Sequence, residues 1–118
     1  MSARWELTVR SGPRVTHDRY ETLDEALTTL DRRAAELAPT AERSEVHFFA
    51  RKIEPARQVA ARLEISGGGG LWRPAVTGGV DLRGDGSAEA YTGRLRRSVV
   101  EQRRGESAVD ALRRVLSE

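Results

Sequence analysis

The sequence predicts an α+β fold, in which an antiparallel sheet of about four to five strands carries two amphipathic helices packed on one face. The expected order is β-α-β-β-(β)-β-α. Two segments have helical periodicity, an apolar face and capping residues at their start. The other apolar residues mostly alternate with polar ones, as in antiparallel strands with one buried face. A length of 118 residues fits one α+β domain over 1–118.

The N-terminal part predicts one strand followed by one helix. Apolar and polar residues alternate over 4–10, and the turn-forming residues 11–13 end this strand. Thr22 and Glu25 have the spacing of a capping box, so the helix is expected to begin there. Its apolar residues recur at helical spacing up to Leu37, and Pro39 is expected to end it.

The middle of the chain predicts a hairpin followed by a long loop. Residues 45–53 and 57–65 are rich in strand-forming side chains, and the short segment 54–56 between them suits a hairpin connection. Glycine is frequent over 66–90, so we expect a Gly-rich loop region there with one short strand at 80–83.

The C-terminal part predicts a long extended segment over 88–103 and a second helix. Ser107 is a suitable N-cap, with Asp110 three residues later. The predicted element order resembles that of small α+β domains that include ribosome hibernation factors. The chain has no motif of that family, so the resemblance implies a fold class and no functional residues.

The composition excludes several classes of protein. Cysteine is absent, which excludes disulfides, thiolate catalysis and cysteine-ligated zinc. No window approaches 18 apolar residues, and the N-terminus has no apolar segment of the signal-peptide kind. We therefore expect a cytoplasmic protein, and no cofactor is predicted.

Few residues suggest catalysis or metal binding. The two histidines are His17, in the predicted loop before the first helix, and His47, in a predicted strand, and nothing places a nucleophile beside either. Asp81, Asp85 and Glu89 have a spacing of four around a turn, and carboxylate oxygens are ligands for Ca²⁺ or Mg²⁺. The simpler interpretation, which we favour, is that Asp85 stabilises its own turn while the other two are strand residues facing arginines. No catalytic or metal site is therefore predicted.

Arginine is unusually frequent, with 19 Arg and one Lys, but the positive charge is excessive only locally. Residues 1–66 contain 11 basic and 11 acidic residues, whereas 91–104 contains five Arg and one Glu. Phosphate contacts would explain this cluster. Solvated strand residues in cross-strand pairs explain it equally, and we favour that interpretation. The candidate anion- or nucleic-acid-binding residues are Arg94, Arg96, Arg97, Arg103 and Arg104.

Taken together, these patterns predict a small non-enzymatic binding or interaction domain. Unpaired strand edges are templates for another chain, so we expect a homodimer, with Trp72 and Tyr91 as candidate interface residues. The alternative hypothesis is an RNA- or ribosome-associated protein that contacts phosphates through the arginines of 91–104.

Overall fold

The computed structural model describes residues 4–48, 59–68, 75–93 and 96–117, with the backbone alone for 40–48. Within these residues the predicted α+β class is confirmed, with six strands where four to five were expected. The strands are β1 (Trp5–Ser11), β2 (Arg14–Tyr20), β3 (Val59–Gly67), β4 (Val76–Arg83), β5 (Ala88–Thr92) and β6 (Ser98–Val100), and the helices are α1 (Leu23–Phe48) and α2 (Ala108–Leu116).

All six strands form one antiparallel sheet in the order β2-β1-β3-β4-β5-β6. Both helices cover the same face, where alternate strand residues are buried against helix residues. Leu27 and Leu30 of α1 and Leu112 of α2 are fully buried. Burying a leucine side chain contributes roughly 1.5–3 kcal/mol, so this helix-covered face is the main source of stability. None of the described helices is long and apolar enough to cross a membrane.

β1 and β2 form a hairpin that the sequence analysis missed. Gly12 and Pro13 connect the strands, and Ser11 pairs with Arg14 directly beside the turn. Gly12 has a φ of 59°, which suits the first central residue of a type II′ turn. β2 has no apolar alternation, and all its residues except Tyr20 are exposed, so nothing in its pattern indicated a strand.

The predicted end of α1 at Pro39 is wrong, because the helix continues through the proline to Phe48. An internal proline removes one backbone donor and kinks a helix without always ending it. The predicted strand over 45–53 is wrong for 45–48, which are helical, and 49–53 lie outside the described residues. The predicted hairpin is therefore wrong, and β3 pairs with β1 and β4 instead.

The region 66–90, predicted as a Gly-rich loop with one short strand at 80–83, contains all of β4 in the middle of the sheet, so that strand is confirmed but begins earlier, at Val76. Two adjacent glycines let this strand fit between other elements. A Cβ on Gly78 would lie 2.9 Å from a methyl of Leu112 in α2. A Cβ on Gly79 would lie 2.8 Å from the phenol oxygen of Tyr91 on the other face. Absent side chains thus allow close packing on both faces of β4.

The predicted extended segment 88–103 is divided into β5 and β6. Gly93 interrupts it with a φ of 92°, and its N–H donates to the carbonyl of Thr77 at 2.9 Å. A Cβ there would lie 2.3 Å from the carbonyl oxygen of Arg96, so a larger residue is excluded.

α2 begins as predicted. The hydroxyl of Ser107 accepts from the N–H of Asp110, whose carboxylate accepts from the N–H of Ser107, both at 3.1 Å. These reciprocal bonds form a capping box. At the other end, Arg113 donates to Asp24 of α1, which ties the two helices together.

Candidate functional site

The face of the sheet opposite the helices, here called the open face, carries most of the polar strand residues. Strand register places these residues in rows that run across the sheet. One row consists of His17, Thr8, Glu64, Gly79 and Tyr91, from β2 to β5. Because side chains alternate between the faces of a strand, all five positions share the open face.

The next row contains two arginines on neighbouring strands. Arg10 of β1 lies directly opposite Arg62 of β3, which in turn lies opposite Asp81 of β4. Arg62 donates from Nε and Nη2 to the two carboxylate oxygens of Asp81 at 2.6 and 3.0 Å. The hydrogen bonds to Asp81 raise the pKa of Arg62, and the negative charge of Asp81 raises it further. The charge of Arg62 is thereby matched within the sheet.

Tyr91, the last residue of the first row, forms the floor of the open face next to Arg62. Its side chain lies across Gly79, and its residue is only 3% exposed. The phenol donates to Oε2 of Glu64 at 2.6 Å. Burial, reinforced by that bond, raises the pKa of Tyr91 far above its ordinary value. The phenol therefore stays protonated at neutral pH and acts as a fixed donor.

Two guanidinium groups contact the ring of Tyr91. The Cζ atoms of Arg62 and Arg97 lie 5.5 and 5.1 Å from the ring centroid, which is within cation–π range. Arg97 comes from the segment before β6 and reaches back over the open face. The ring thus holds both arginines close to the same point.

A polar cavity of about 300 Å³ opens on this face beside Tyr91. Three arginines line it: Arg10, Arg62 and Arg97. Hydroxyl groups of Thr8 and Ser66 also line it. Guanidinium and hydroxyl donors around one small cavity are suited to an oxygen-rich anion. We call this the open-face cavity.

The carboxylates at the open-face cavity already have partners. Glu64 accepts the bond from Tyr91. Glu6 lies 3.7 Å from Arg19 and 3.5 Å from His17. In the part of the chain that the structure describes, no carboxylate lies within ion-pair distance of Arg10 or Arg97. The phenol of Tyr91 is neutral, so Glu64 keeps its negative charge, but the guanidinium groups of Arg10 and Arg97 exceed it and leave the cavity with a net positive charge.

His17, Thr8 and Glu6 are close together but do not form a catalytic relay. Nδ1 of His17 lies 3.1 Å from Oγ1 of Thr8 and 3.5 Å from Oε1 of Glu6. A nucleophile–base–carboxylate triad uses the two ring nitrogens for different partners. Here both partners share one nitrogen, so the geometry suits a polar cluster on an exposed strand. His47, predicted in a strand, lies in α1.

The three carboxylates considered as metal ligands are held apart by separate partners. Asp81 bonds to Arg62, and Glu89 accepts from Arg83 at 2.6 Å. Asp85 accepts from the N–H and hydroxyl of Ser87, and these bonds lower the pKa of Asp85. No group of metal-ligating side chains occurs among the described residues. The interpretation of Asp85 as a turn-stabilising residue is confirmed.

The predicted arginine cluster is not on one continuous strand. Arg96 and Arg97 precede β6, and Arg103 and Arg104 follow it, all with exposed side chains. Arg94 lies outside the described residues, as does Trp72. Tyr91, predicted at an interface, is buried by contacts within its own chain.

Arg10 was not among the residues predicted to bind a ligand. Its only signal is position, because it follows the alternation of Glu6 and Thr8 onto the polar side of β1. Only the pairing of β1 with β3 shows that Arg10 lies directly opposite Arg62. Comparisons with protein-family models, with curated proteins and with solved structures find no match for this chain.

Proposed function

We propose that the protein is a small cytoplasmic, non-enzymatic binding domain that binds an anionic group in the open-face cavity. One observation carries the proposal: three arginines from separate parts of the chain line the same cavity, and within the described ranges only Arg62 is matched by a carboxylate. The other two, Arg10 and Arg97, supply the charge that a ligand would neutralise.

The size and chemistry of the cavity limit the ligand. A volume of about 300 Å³ is at the lower end of small-molecule sites, which run from roughly 300 to 1,000 Å³. It suits a phosphate or carboxylate group at the end of a larger molecule. Guanidinium groups bind such groups through paired N–H donors, and the hydroxyls of Thr8 and Ser66 add donors beside them.

Calorimetric titration with tripolyphosphate tests this function. We expect binding that weakens with salt, and a loss of about threefold to tenfold in affinity for Arg10→Gln and for Arg97→Gln. The matched control is Arg32→Gln, since Arg32 is an exposed arginine on α1, away from the open face. Absence of tripolyphosphate binding, or equal affinity in all four proteins, would refute the proposal.

RNA binding is the second candidate function, because Arg96, Arg97, Arg103 and Arg104 are all exposed near β6. Against base stacking, the ring of Tyr91 is buried and lies beside two guanidinium groups. Phosphate contact remains the proposed mode. The affinity for single-stranded RNA should then fall steeply between about 50 and 200 mM salt, and a salt-independent affinity would exclude it.

We further propose that the domain self-associates through β2. This strand has seven residues and lies at the edge of the sheet, where β1 is its only partner among the described strands. An edge strand of this length offers a row of backbone groups to a second copy.

A further inference from the structure

β6 forms the other edge of the sheet and has a different character from β2. It is only three residues long, Ser98–Val100, and pairs on one side with β5. Its other side has no strand neighbour among the described residues. The backbone donors and acceptors on that side are therefore those of an open sheet edge.

A second cavity, of about 460 Å³, lies beside this edge. It extends from β6 towards the end of α2, and apolar side chains of Val99, Val100 and Val115 line part of it. Val99 is 59% exposed, more than any other exposed large apolar residue that the structure describes. An edge strand next to a helix-bounded cavity that is lined in part by apolar side chains is the arrangement that peptide-binding domains use for strand addition.

Positive charge flanks β6 at both ends. Arg96 and Arg97 lie before it and Arg103 and Arg104 after it, all with exposed side chains. The nearby Glu106 is already engaged by Arg114 and by the backbone N–H of Arg103. Glu101 is the only other acidic residue of this segment, so 96–106 keeps an excess of positive charge.

We propose that β6 and this cavity bind an extended acidic segment of another protein, which adds as a seventh strand to the sheet. The backbone of the segment would pair with the free edge of β6. Alternate side chains would be apolar and enter the cavity, while carboxylates would face the flanking arginines. The charge selects an acidic partner, and the edge and the valines select a polypeptide.

RNA is disfavoured at this surface for a physical reason. A polynucleotide would match the arginines, but it has no backbone with strand-like spacing of donors and acceptors. It also has no small apolar side chains for a cavity lined by valines. An extended peptide of about seven residues spans roughly 24 Å at 3.4 Å per residue, enough to cover β6 and reach beyond both of its ends.

Binding of synthetic peptide pools to the immobilised full chain tests the proposal. The main pool contains capped seven-residue peptides with Glu at alternate positions and Val, Ile or Leu between them. One control pool replaces Glu with Lys, and a second keeps Glu but methylates alternate backbone nitrogens. We expect at least tenfold more binding of the Glu pool than of either control, because charge and backbone pairing are both required.

Variants then locate the site. The double variant Arg103→Gln/Arg104→Gln should weaken binding of the Glu pool about threefold to tenfold, whereas Arg32→Gln on α1 should leave it unchanged. No binding of the Glu pool, equal binding of a control pool, no effect of Arg103→Gln/Arg104→Gln, or stronger capture of single-stranded RNA by the same arginines would each overturn the proposal. Tripolyphosphate binding reports separately on the open-face cavity.

Discussion

At the scale of single residues, the centre of the open face depends on a missing side chain. An added Cβ at Gly79 would lie 2.5 Å from the carbonyl oxygen of Leu63 and 2.8 Å from the phenol oxygen of Tyr91. Both the backbone of the neighbouring strand and the ring of Tyr91 therefore leave no room for a side chain at Gly79. The absence of a Cβ is what lets Tyr91 cross the strand and reach Glu64.

Gly79→Ala should lower the free energy of unfolding by about 1–3 kcal/mol, because overpacking displaces backbone atoms. Gly78→Ala is the matched control on the same strand. Its Cβ would meet the methyl ends of Leu112 and Leu116 at 2.9 and 3.2 Å, which move more easily than backbone, and its one close backbone contact, the carbonyl oxygen of Tyr91 at 3.2 Å, is longer than the 2.5 Å contact at Gly79. Urea denaturation measures both variants. A larger loss for Gly78→Ala than for Gly79→Ala would contradict this account of the close approach.

Tyr91 is predicted to stabilise the fold through its phenol as well as its ring. Tyr91→Phe keeps the ring over Gly79 but leaves Glu64 without its 2.6 Å donor. Loss of a hydrogen bond to a charged group should cost about 1.5–3 kcal/mol. Tyr20→Phe is the matched control, since the hydroxyl of partly buried Tyr20 has no hydrogen bond in the described part of the chain. Urea denaturation at pH 7 separates the two variants.

The same phenol gives the protein a predicted alkaline limit. The pKa of Tyr91 is raised in the folded state, whereas an unfolded tyrosine ionises near 10.0. The contribution is therefore complete below pH 10.0 and is lost progressively as the pH rises above it. The urea midpoint of Tyr91→Phe should fall less between pH 9 and 11 than those of the unsubstituted protein and Tyr20→Phe. Parallel falls would show that Tyr91 is not the group responsible.

At the scale of elements, one carboxylate fixes the segment between β6 and α2. Glu106 accepts from Nε and Nη2 of Arg114 at 2.9 and 3.0 Å and from the N–H of Arg103 at 2.8 Å. The bonds to Arg114, followed by the bond to Arg103, lower the pKa of Glu106 from 4.5 to about 2. Arg114 also donates to the carbonyl of Glu101 at 3.1 Å, so α2 holds this segment at two points.

Glu106→Gln should therefore destabilise the protein at neutral pH and much less in acid. A lowered pKa contributes stability that is present above pH 4.5 and is lost as the pH falls towards about 2. The difference in urea midpoint between the unsubstituted protein and the variant should shrink across that interval. Glu101→Gln, which changes an exposed acidic side chain in the same segment, should show no such convergence. A pH-independent difference for Glu106→Gln would exclude its carboxylate charge as the cause.

Elements with a local signal were predicted, whereas elements fixed by neighbours were not. Both helix starts follow from capping residues, and at α1 the hydroxyl of Thr22 accepts from the N–H of Glu25 at 3.1 Å. β2 lacks apolar alternation because the helices do not cover it, so its sequence resembles a loop. Proline usually ends a helix, but this tendency holds on average and not at every position, and α1 continues past Pro39.

At the scale of the whole molecule, the candidate site could not be predicted because it depends on strand order. Arg10, Arg62 and Arg97 are far apart in the chain and meet only because β1 pairs with β3 and the segment before β6 reaches back to Tyr91. The cluster in 91–104 was visible as composition, yet β6 separates Arg96 and Arg97 from Arg103 and Arg104 at an edge of the sheet. The composition therefore shows that arginines are frequent, whereas the order of the strands determines which groups lie next to them.

Strand order also leads to the prediction for self-association. The hairpin closes with Ser11 paired to Arg14 beside a two-residue turn, so that pair is hydrogen-bonded and alternate residues from Val15 onward direct their N–H groups outward. Val15→Pro should remove one outward donor and block pairing of β2 with a second copy. Val15→Ala trims the same 43% exposed residue while keeping the donor, and it is the matched control.

Light scattering over a range of concentrations should detect a dimer for the unsubstituted protein and for Val15→Ala, and a monomer for Val15→Pro. Circular dichroism must show that Val15→Pro remains folded. This is expected because an outward N–H takes no part in the pairing with β1. The unsubstituted protein remaining a monomer at millimolar concentration, or a folded Val15→Pro that still dimerises, would exclude β2 as the interface. In the predicted dimer the continuous sheet has twelve strands, with the open-face cavities of both copies on it and a free β6 edge at each end.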